Sequence, residues 1–248
     1  MKISILGCGG GGSHIAYQLA QLGVGEIHLV DDDIVEEGNI NRQSIFNMND
    51  IGKHKVQCVS QFISKRQPSC GITTSSKRLC TVNTVQNEID GSDWVICCID
   101  EPPYIAQRLV NRASHLLEIP SVYCFSQRSA GKVLFCDPSS EDTGCIDCLL
   151  VDQDCEHFQK LVGRFTNNEY NLITANILPN ILMLTSWVVK HWLDYISGRN
   201  RSVTNKLLRF NFDRFVEEEF QIFKKEEDCP TCGSKENRSK LWEIIKIE

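Results

Sequence analysis

The chain has 248 residues, 42% hydrophobic and 23% charged, which suits one large folded core and excludes a disordered chain. Its formal net charge of -6 argues against nucleic acid as the main partner, because a phosphate backbone selects basic surfaces. Met1 leads straight into an apolar run and a glycine run with no signal-peptide layout, so the thirteen cysteines point to a reducing cytoplasm and not to a disulfide framework.

In chain order, residues 2–6 form a short apolar strand that ends in Gly7-Cys8-Gly9-Gly10-Gly11-Gly12. Residues 13–22 have helical spacing, with Ile15, Leu19 and Leu22 on one face, and Gly23 and Gly25 stop that helix. Residues 26–30 make a second strand, completing a βαβ unit with a parallel pair. Residues 55–66 predict a helix, and residues 94–99 a wholly apolar strand of the kind found at the centre of a parallel sheet. A helix over 103–117 and strands over 121–125 and 132–136 follow. This alternation predicts a doubly wound, mostly parallel, Rossmann-like α/β sheet over residues 1–151.

Residues 152–172 are polar, contain Asn167-Asn168 and lack periodicity, which predicts a mobile crossover loop. Residues 173–248 complete the same domain with a long helix near 177–196 and an antiparallel hairpin over 206–212 and 215–223. The apolar stretch 173–196 is broken by Asn176, Pro179, Asn180, Lys190, His191 and Asp194, too polar for a membrane span, so no membrane partner is expected.

The glycine run is the first chemical signal. Glycines directly after a strand let phosphate approach the backbone, and a helix starting near Ser13 offers free N–H groups. Alone, the run reads equally as a tight packing turn. Asp31, at the end of the second strand, stands where a ribose acceptor belongs and favours a nucleotide. A dinucleotide-dependent oxidoreductase is then the generic reading, but Arg42 and Lys55 follow closely. A nicotinamide site needs no such pair, whereas a triphosphate does: Arg forks onto phosphate oxygens and Lys neutralises charge at the reacting phosphorus. A charged surface loop is the alternative.

The segment from the glycine run through Asp31-x-Asp33-x-Val35, Asn39-x-x-Arg42-Gln43, Gly52 and Lys55 resembles the ATP-binding core of the ThiF/MoeB/HesA family, E1-like relatives of ubiquitin-activating enzymes. The resemblance implies that ATP lies against Gly7, Gly9, Gly10 and Gly12, with Asp31 on the ribose hydroxyls and Asp33 supporting the turn. Asn39, Arg42 and Gln43 would face the phosphates, and Lys55 the reacting phosphate. Asp100, which follows the 94–99 strand, matches the family's magnesium-holding aspartate; read alone it is a solvated strand-end carboxylate. The implied catalytic set is Arg42, Lys55 and Asp100.

Cys145-Ile146-Asp147-Cys148 and Cys229-Pro230-Thr231-Cys232 are two C-x-x-C knuckles, able to supply four thiolates to a closed tetrahedral zinc site. Chance pairing in a cysteine-rich chain is the alternative. Knuckles in corresponding places in the family imply a structural zinc that clips the C-terminal part onto the core.

As a whole the resemblance implies an adenylyltransferase that uses ATP and magnesium to activate the C-terminal carboxylate of a ubiquitin-like or sulfur-carrier protein, or of a ribosomal peptide. It also implies a homodimer. Asp100-Glu101-Pro102-Pro103 replaces the Asp-Asn usual in sulfur-carrier-activating relatives and resembles the microcin-type, peptide-adenylating branch. The helical segment with which many relatives supply an arginine to the partner's site has no counterpart ahead of the first strand. Cys155 lies well before Asn171, near which a loop nucleophile is expected, and reads as an exposed thiol without a role. A non-catalytic binding scaffold with the same fold and a dinucleotide oxidoreductase are the other two readings.

Overall fold

A computed structural model describes residues 1–99, 105–126, 129–150, 160 and 176–234. The apolar run of β1 (Lys2–Leu6) is buried from Ile3 onward and forms a central strand. It pairs in parallel with β2 (Glu26–Val30) on one side and β4 (Trp94–Cys97) on the other. Further parallel strands flank these, β3 (Gly71–Ser75) beside β2 and β5 (Ser121–Ser126) beside β4. From β5 outward the pairing turns antiparallel through β6 (Ala130–Cys136), β7 (Lys206–Asn211) and β8 (Val216–Ile222). The result is one eight-stranded sheet ordered β3-β2-β1-β4-β5-β6-β7-β8, so the expected C-terminal hairpin extends the main sheet.

Both faces of the parallel part are covered, as apolar strands without alternation require. On one face α1 (Gly10–Gln21), α2 (Lys55–Ser64) and α6 (Leu178–Ile196) pack Ile15, Val59 and Val188 over Ile5 and Ile27. On the other, α3 (Val82–Ile89), α4 (Ile105–Leu116) and the short α5 (Ile146–Leu149) pack Val85, Leu109 and Ile146 over Leu6 and Val95. Side chains of neighbouring strand residues point to opposite faces, which sends Ile5 and Leu6 to different cores. The C-terminal half of α6 is anchored by aromatics: Trp192 meets Trp94 edge-on at 6.4 Å and Tyr195 stacks on Phe135 at 5.7 Å. Tyr195 also donates from its hydroxyl to Asp137 Oδ2 at 2.5 Å.

Three details differ from the expectations. Helix α1 starts at Gly10, inside the glycine run, and not at Ser13. The strand expected over 94–99 ends at Cys97, although the Cys98 amide still bonds to the Leu6 carbonyl at 2.8 Å. Neither β3 nor α3 is announced by periodicity: β3 is a largely exposed edge strand, and α3 spans 8 residues behind a Thr81 cap that accepts from the Thr84 amide at 3.1 Å. The expected crossover loop, with Cys155, lies outside the described residues, as does Asp100. Among the described residues no helix is long and apolar enough to cross a membrane.

Candidate nucleotide site and four-cysteine centre

The chain leaves β1 through Gly7, whose φ of +91° is left-handed and whose missing Cβ would sit 2.9 Å from the Cys98 carbonyl. The first turn of α1 then lies on that bend so closely that a Cβ on Gly12 would fall 1.8 Å from the Gly7 oxygen. Only glycine permits this approach, and it pulls the helix start back to Gly10. Gly9 is the N-cap residue, and no side chain caps it, so the first amides of a 12-residue helix and its positive dipole end are available to an anion. The Ser13 amide, expected to be among the free donors, is instead bonded to the Gly9 carbonyl at 3.1 Å.

Asp31 is tied down at both carboxylate oxygens. Cys8 N–H donates to Oδ2 at 2.5 Å and Asp33 N–H to Oδ1 at 2.8 Å, which locks the turn after β2 against the turn after β1. Burial pushes the Asp31 carboxyl above its ordinary pKa, and Lys55 and the two amides oppose that. Lys55, the first residue of α2, is 7% exposed. Its ammonium lies 2.6 Å from Asp33 Oδ2, and its amide donates to the Asp33 carbonyl at 3.0 Å.

Asn39 is buried and its Oδ1 accepts from the Glu36 amide at 3.0 Å, so its carboxamide oxygen organises the short 3-10 turn Glu37–Asn39. Arg42 is half-buried; it donates to the Gly38 carbonyl at 2.6 Å and to Asn41 Oδ1 at 3.3 Å. Gln43 is buried beside Gly9, with its Nε2 3.5 Å from where a Gly9 Cβ would stand, and its Oε1 has no hydrogen-bond partner among the described residues. A buried, unsatisfied amide oxygen costs free energy unless a ligand or water meets it.

The structure thus gathers Gly7, Gly9, Gly10, Gly12, Asp31, Asp33, Gln43 and Lys55 around the start of α1, with Asn39 beneath and Arg42 at the rim. Two contributors have no signal in local spacing. Cys98 forms the floor under Gly7 and Gly11, and Ile181 of α6 comes within 2.8 Å of a Cβ placed on Gly10. Uncapped amides, a buried ammonium and an anchored carboxylate acceptor form an arrangement suited to a nucleoside polyphosphate.

At the other end of the sheet the two knuckles converge. Cys145, Cys148, Cys229 and Cys232 are all buried, with their sulfurs within 4.8 Å of one another. Cys145 and Cys229 stand 3.6 Å apart, and Cys148 and Cys232 3.3 Å. A tetrahedral zinc with bonds of about 2.3 Å sets its sulfurs about 3.8 Å apart, so the donor set fits that ion and its size. The Glu226 amide donates to Cys148 Sγ at 3.4 Å, the Thr231 amide to Cys229 Sγ at 3.5 Å, and Asn111 Nδ2 to Cys145 Sγ at 3.3 Å. Hydrogen bonds from neighbouring thiols lower the pKa of Cys148 and Cys229, while burial first and thiol neighbours next raise that of Cys145.

Asp147, between the first two cysteines, is fully buried. It pairs with Arg108 of α4 at 3.0 Å and accepts from Asn111 at 3.0 Å and Thr231 at 2.6 Å. Arg112 adds bonds to the Pro230 and Thr231 carbonyls at 3.2 and 3.1 Å. The same helix reaches the strand-end turn, where Gln107 Nε2 donates to the Ile99 carbonyl at 2.6 Å.

A family model described as the ThiF family matches residues 1–231. The sulfur carrier protein ThiS adenylyltransferase of Escherichia coli (strain K12) is 30% identical over 151 residues, covering 61% of this chain and 59% of that protein. The Nedd8-activating enzyme E1 catalytic subunit of Drosophila melanogaster is 33% identical over 115 residues, 44% of this chain and 24% of its own length. Among solved structures, E. coli MccB with ATP superposes with a TM-score of 0.78 at 23% identity, covering 94% of this chain and 66% of that one. That likeness establishes a shared fold. The chain spans between a quarter and three fifths of these two curated relatives.

Proposed function

The chain belongs to the ThiF family, and from that premise we propose that it is an E1-like adenylyltransferase acting on the C-terminal carboxylate of a small protein or peptide. ATP is the co-substrate. The carboxylate oxygen attacks the α-phosphorus, a bond forms between that oxygen and phosphorus, the α–β anhydride bond breaks, and pyrophosphate leaves with its electron pair. A carboxylate is already ionised near neutral pH, so no general base is required.

The observation that carries this reading is the buried Lys55 ammonium beside an uncapped helix start, with the buried Gln43 carboxamide next to Gly9 and its oxygen unsatisfied among the described residues. Asp31 accepts from the ribose hydroxyls while Asp33 supports the turn. The α1 amides, Asn39, Arg42 and Gln43 take the phosphates, and Lys55 offsets charge at the phosphorus under attack. Positioning and charge neutralisation supply most of the acceleration. Asp100 is the proposed magnesium ligand, an ion that shields phosphate charge when bound. The relatives' names favour the same chemistry, since one is a ThiS adenylyltransferase and another, MccB, was solved with ATP.

Cys145, Cys148, Cys229 and Cys232 would hold a zinc that is structural, because four sulfur ligands leave no open position. A homodimer in a reducing cytoplasm completes the proposal. The peptide-adenylating branch is preferred over sulfur relay on Asp100-Glu101-Pro102-Pro103 and on the position of Cys155. Pyrophosphate exchange into ATP tests the whole reading with candidate carboxylate chains. Exchange that depends on such a chain is the expected result. ATP bound without exchange points to a scaffold, and NAD bound in preference to ATP points to an oxidoreductase.

A further inference from the structure

A pair of cations stands on the sheet outside the site described above. Cross-strand register sets Phe125 of β5 beside Lys132 of β6, Lys132 beside Arg209 of β7, and Arg209 beside Glu218 of β8. Lys132 Nζ lies 4.2 Å from the centre of the Phe220 ring, and the Arg209 guanidinium carbon 5.5 Å from it. Arg209 reaches Glu218 Oε1 at 2.8 Å through Nη1, while its buried Nε has no hydrogen-bond partner among the described residues. Lys132 is half-buried, and among the described residues it makes neither an ion pair nor a hydrogen bond. Among the described residues two adjacent cations therefore share one carboxylate and one aromatic face, in a chain whose net charge is -6. An aromatic face offsets only part of the cost of a partly desolvated ammonium. Burial and the neighbouring Arg209 lower the Lys132 pKa, as expected for a cation short of anionic partners.

The position of the pair matters as much as its charge. β1, β4 and β5 end at the same sheet edge where the antiparallel β6 begins, and Ser126 at the end of β5 opposes Gly131 next to Lys132. The strand order reverses between β1 and β4, which is where a doubly wound sheet places its ligand. Strands stand about 4.8 Å apart, so Lys132, two strands beyond β4, is about 10 Å along that edge. An extended chain covers that span in about three residues.

We propose that Lys132 and Arg209 form a receptor for an acidic side chain about three residues ahead of the carboxylate to be adenylated. The inference rests on the adenylation reading and adds a substrate rule to it. Charge complementarity selects the occupant: an Asp or Glu of the substrate tail supplies a second carboxylate, which the described residues do not give the pair, with the Phe220 ring as an apolar wall.

The test pans a library of random heptapeptides with free C-terminal carboxylates on the full-length protein, with magnesium and a non-hydrolysable ATP analogue. Wild type is expected to enrich Asp or Glu two to four residues ahead of the terminus. Lys132→Glu should lose that enrichment and Lys132→Arg retain it, with thermal unfolding used to check that both are folded; Lys132→Gln serves if the reversed charge does not fold. Replacing the selected Glu by Gln in one peptide should raise its KM for pyrophosphate exchange about tenfold in wild type and less than about twofold in Lys132→Glu. Equal enrichment by wild type and Lys132→Glu, enrichment without acids, or no enrichment at all overturns the receptor. Exchange driven equally well by peptides lacking the acid removes the receptor and leaves adenylation standing. Selected acidic peptides that bind without supporting exchange do the reverse.

Discussion

Lys55 Nζ and Asp33 Oδ2 are 2.6 Å apart, a buried ammonium held by a carboxylate that is itself mostly exposed. The pair aims the ammonium without a ligand, and phosphate can compete for it because the exposed Asp33 carboxylate can turn to water. Magnesium-ATP is therefore expected to bind more tightly than NAD in calorimetry. Lys55→Ala should lower pyrophosphate exchange by about 100-fold, the usual cost of removing one charge-stabilising donor. Tighter binding of NAD, or exchange unchanged in Lys55→Ala, would contradict the proposed function.

Asp100 follows the strand-end segment Cys98-Ile99, whose backbone packs under Gly7. Asp100→Ala should abolish exchange while leaving the circular dichroism spectrum and the unfolding midpoint close to wild type. Normal turnover in the variant removes Asp100 from the site.

The four buried sulfurs and the network on Asp147 predict one zinc per chain in freshly reduced protein, measurable by elemental analysis. Cys232→Ser should lower the unfolding midpoint far more than it changes affinity for magnesium-ATP, because metal binding to such a site is folding free energy. Asp147→Ala should be at least as damaging. It removes the buried carboxylate that pairs with Arg108, and breaking a buried ion pair costs about 3–5 kcal/mol. Substantially less than one equivalent of zinc would count against the centre.

His14 of α1 is buried and meets Ser44 Oγ at 3.1 Å through Nε2. Burial lowers its pKa below the ordinary value, so the unfolded chain takes up the proton first as the pH falls. The sign follows from linkage: its contribution is fully present above the unfolded value of about 6.5 and is lost on acidification through the lower folded value. His14→Gln should flatten the loss of stability between neutral pH and about pH 5, compared by urea unfolding with wild type. An identical slope in the two proteins would exclude His14 as a contributor.

If no thiol captures the acyl-adenylate, Cys155→Ala retains both exchange and product with the true substrate. Mass spectrometry of stalled reactions would detect a thioester or persulfide at Cys155. Either adduct returns the protein to the sulfur-carrier or ubiquitin-like branch.

Local chemistry carries what the sequence alone determined. An apolar run, a glycine run, a period of 3.6 from Ile15 to Leu22 and an acid after the second strand define the first βαβ unit, because each signal lies within a few residues of the structure it specifies. The two C-x-x-C spacings likewise name four metal donors, and the structure gathers them. β3 escaped that reading because a largely exposed edge strand needs no apolar alternation, and α3 because 8 residues hold little periodicity. Tertiary packing alone decided the start of α1, since only the closeness of Gly12 to the Gly7 oxygen draws the helix back to Gly10. Packing also set Ile181 against Gly10 and joined Arg108 to Asp147, pairs too far apart in the chain for any spacing rule to connect. The same holds for Lys132 and Arg209, which are 77 positions apart and become neighbours only when β6 and β7 pair. Periodicity encodes the face a residue presents, and the fold chooses what that face meets.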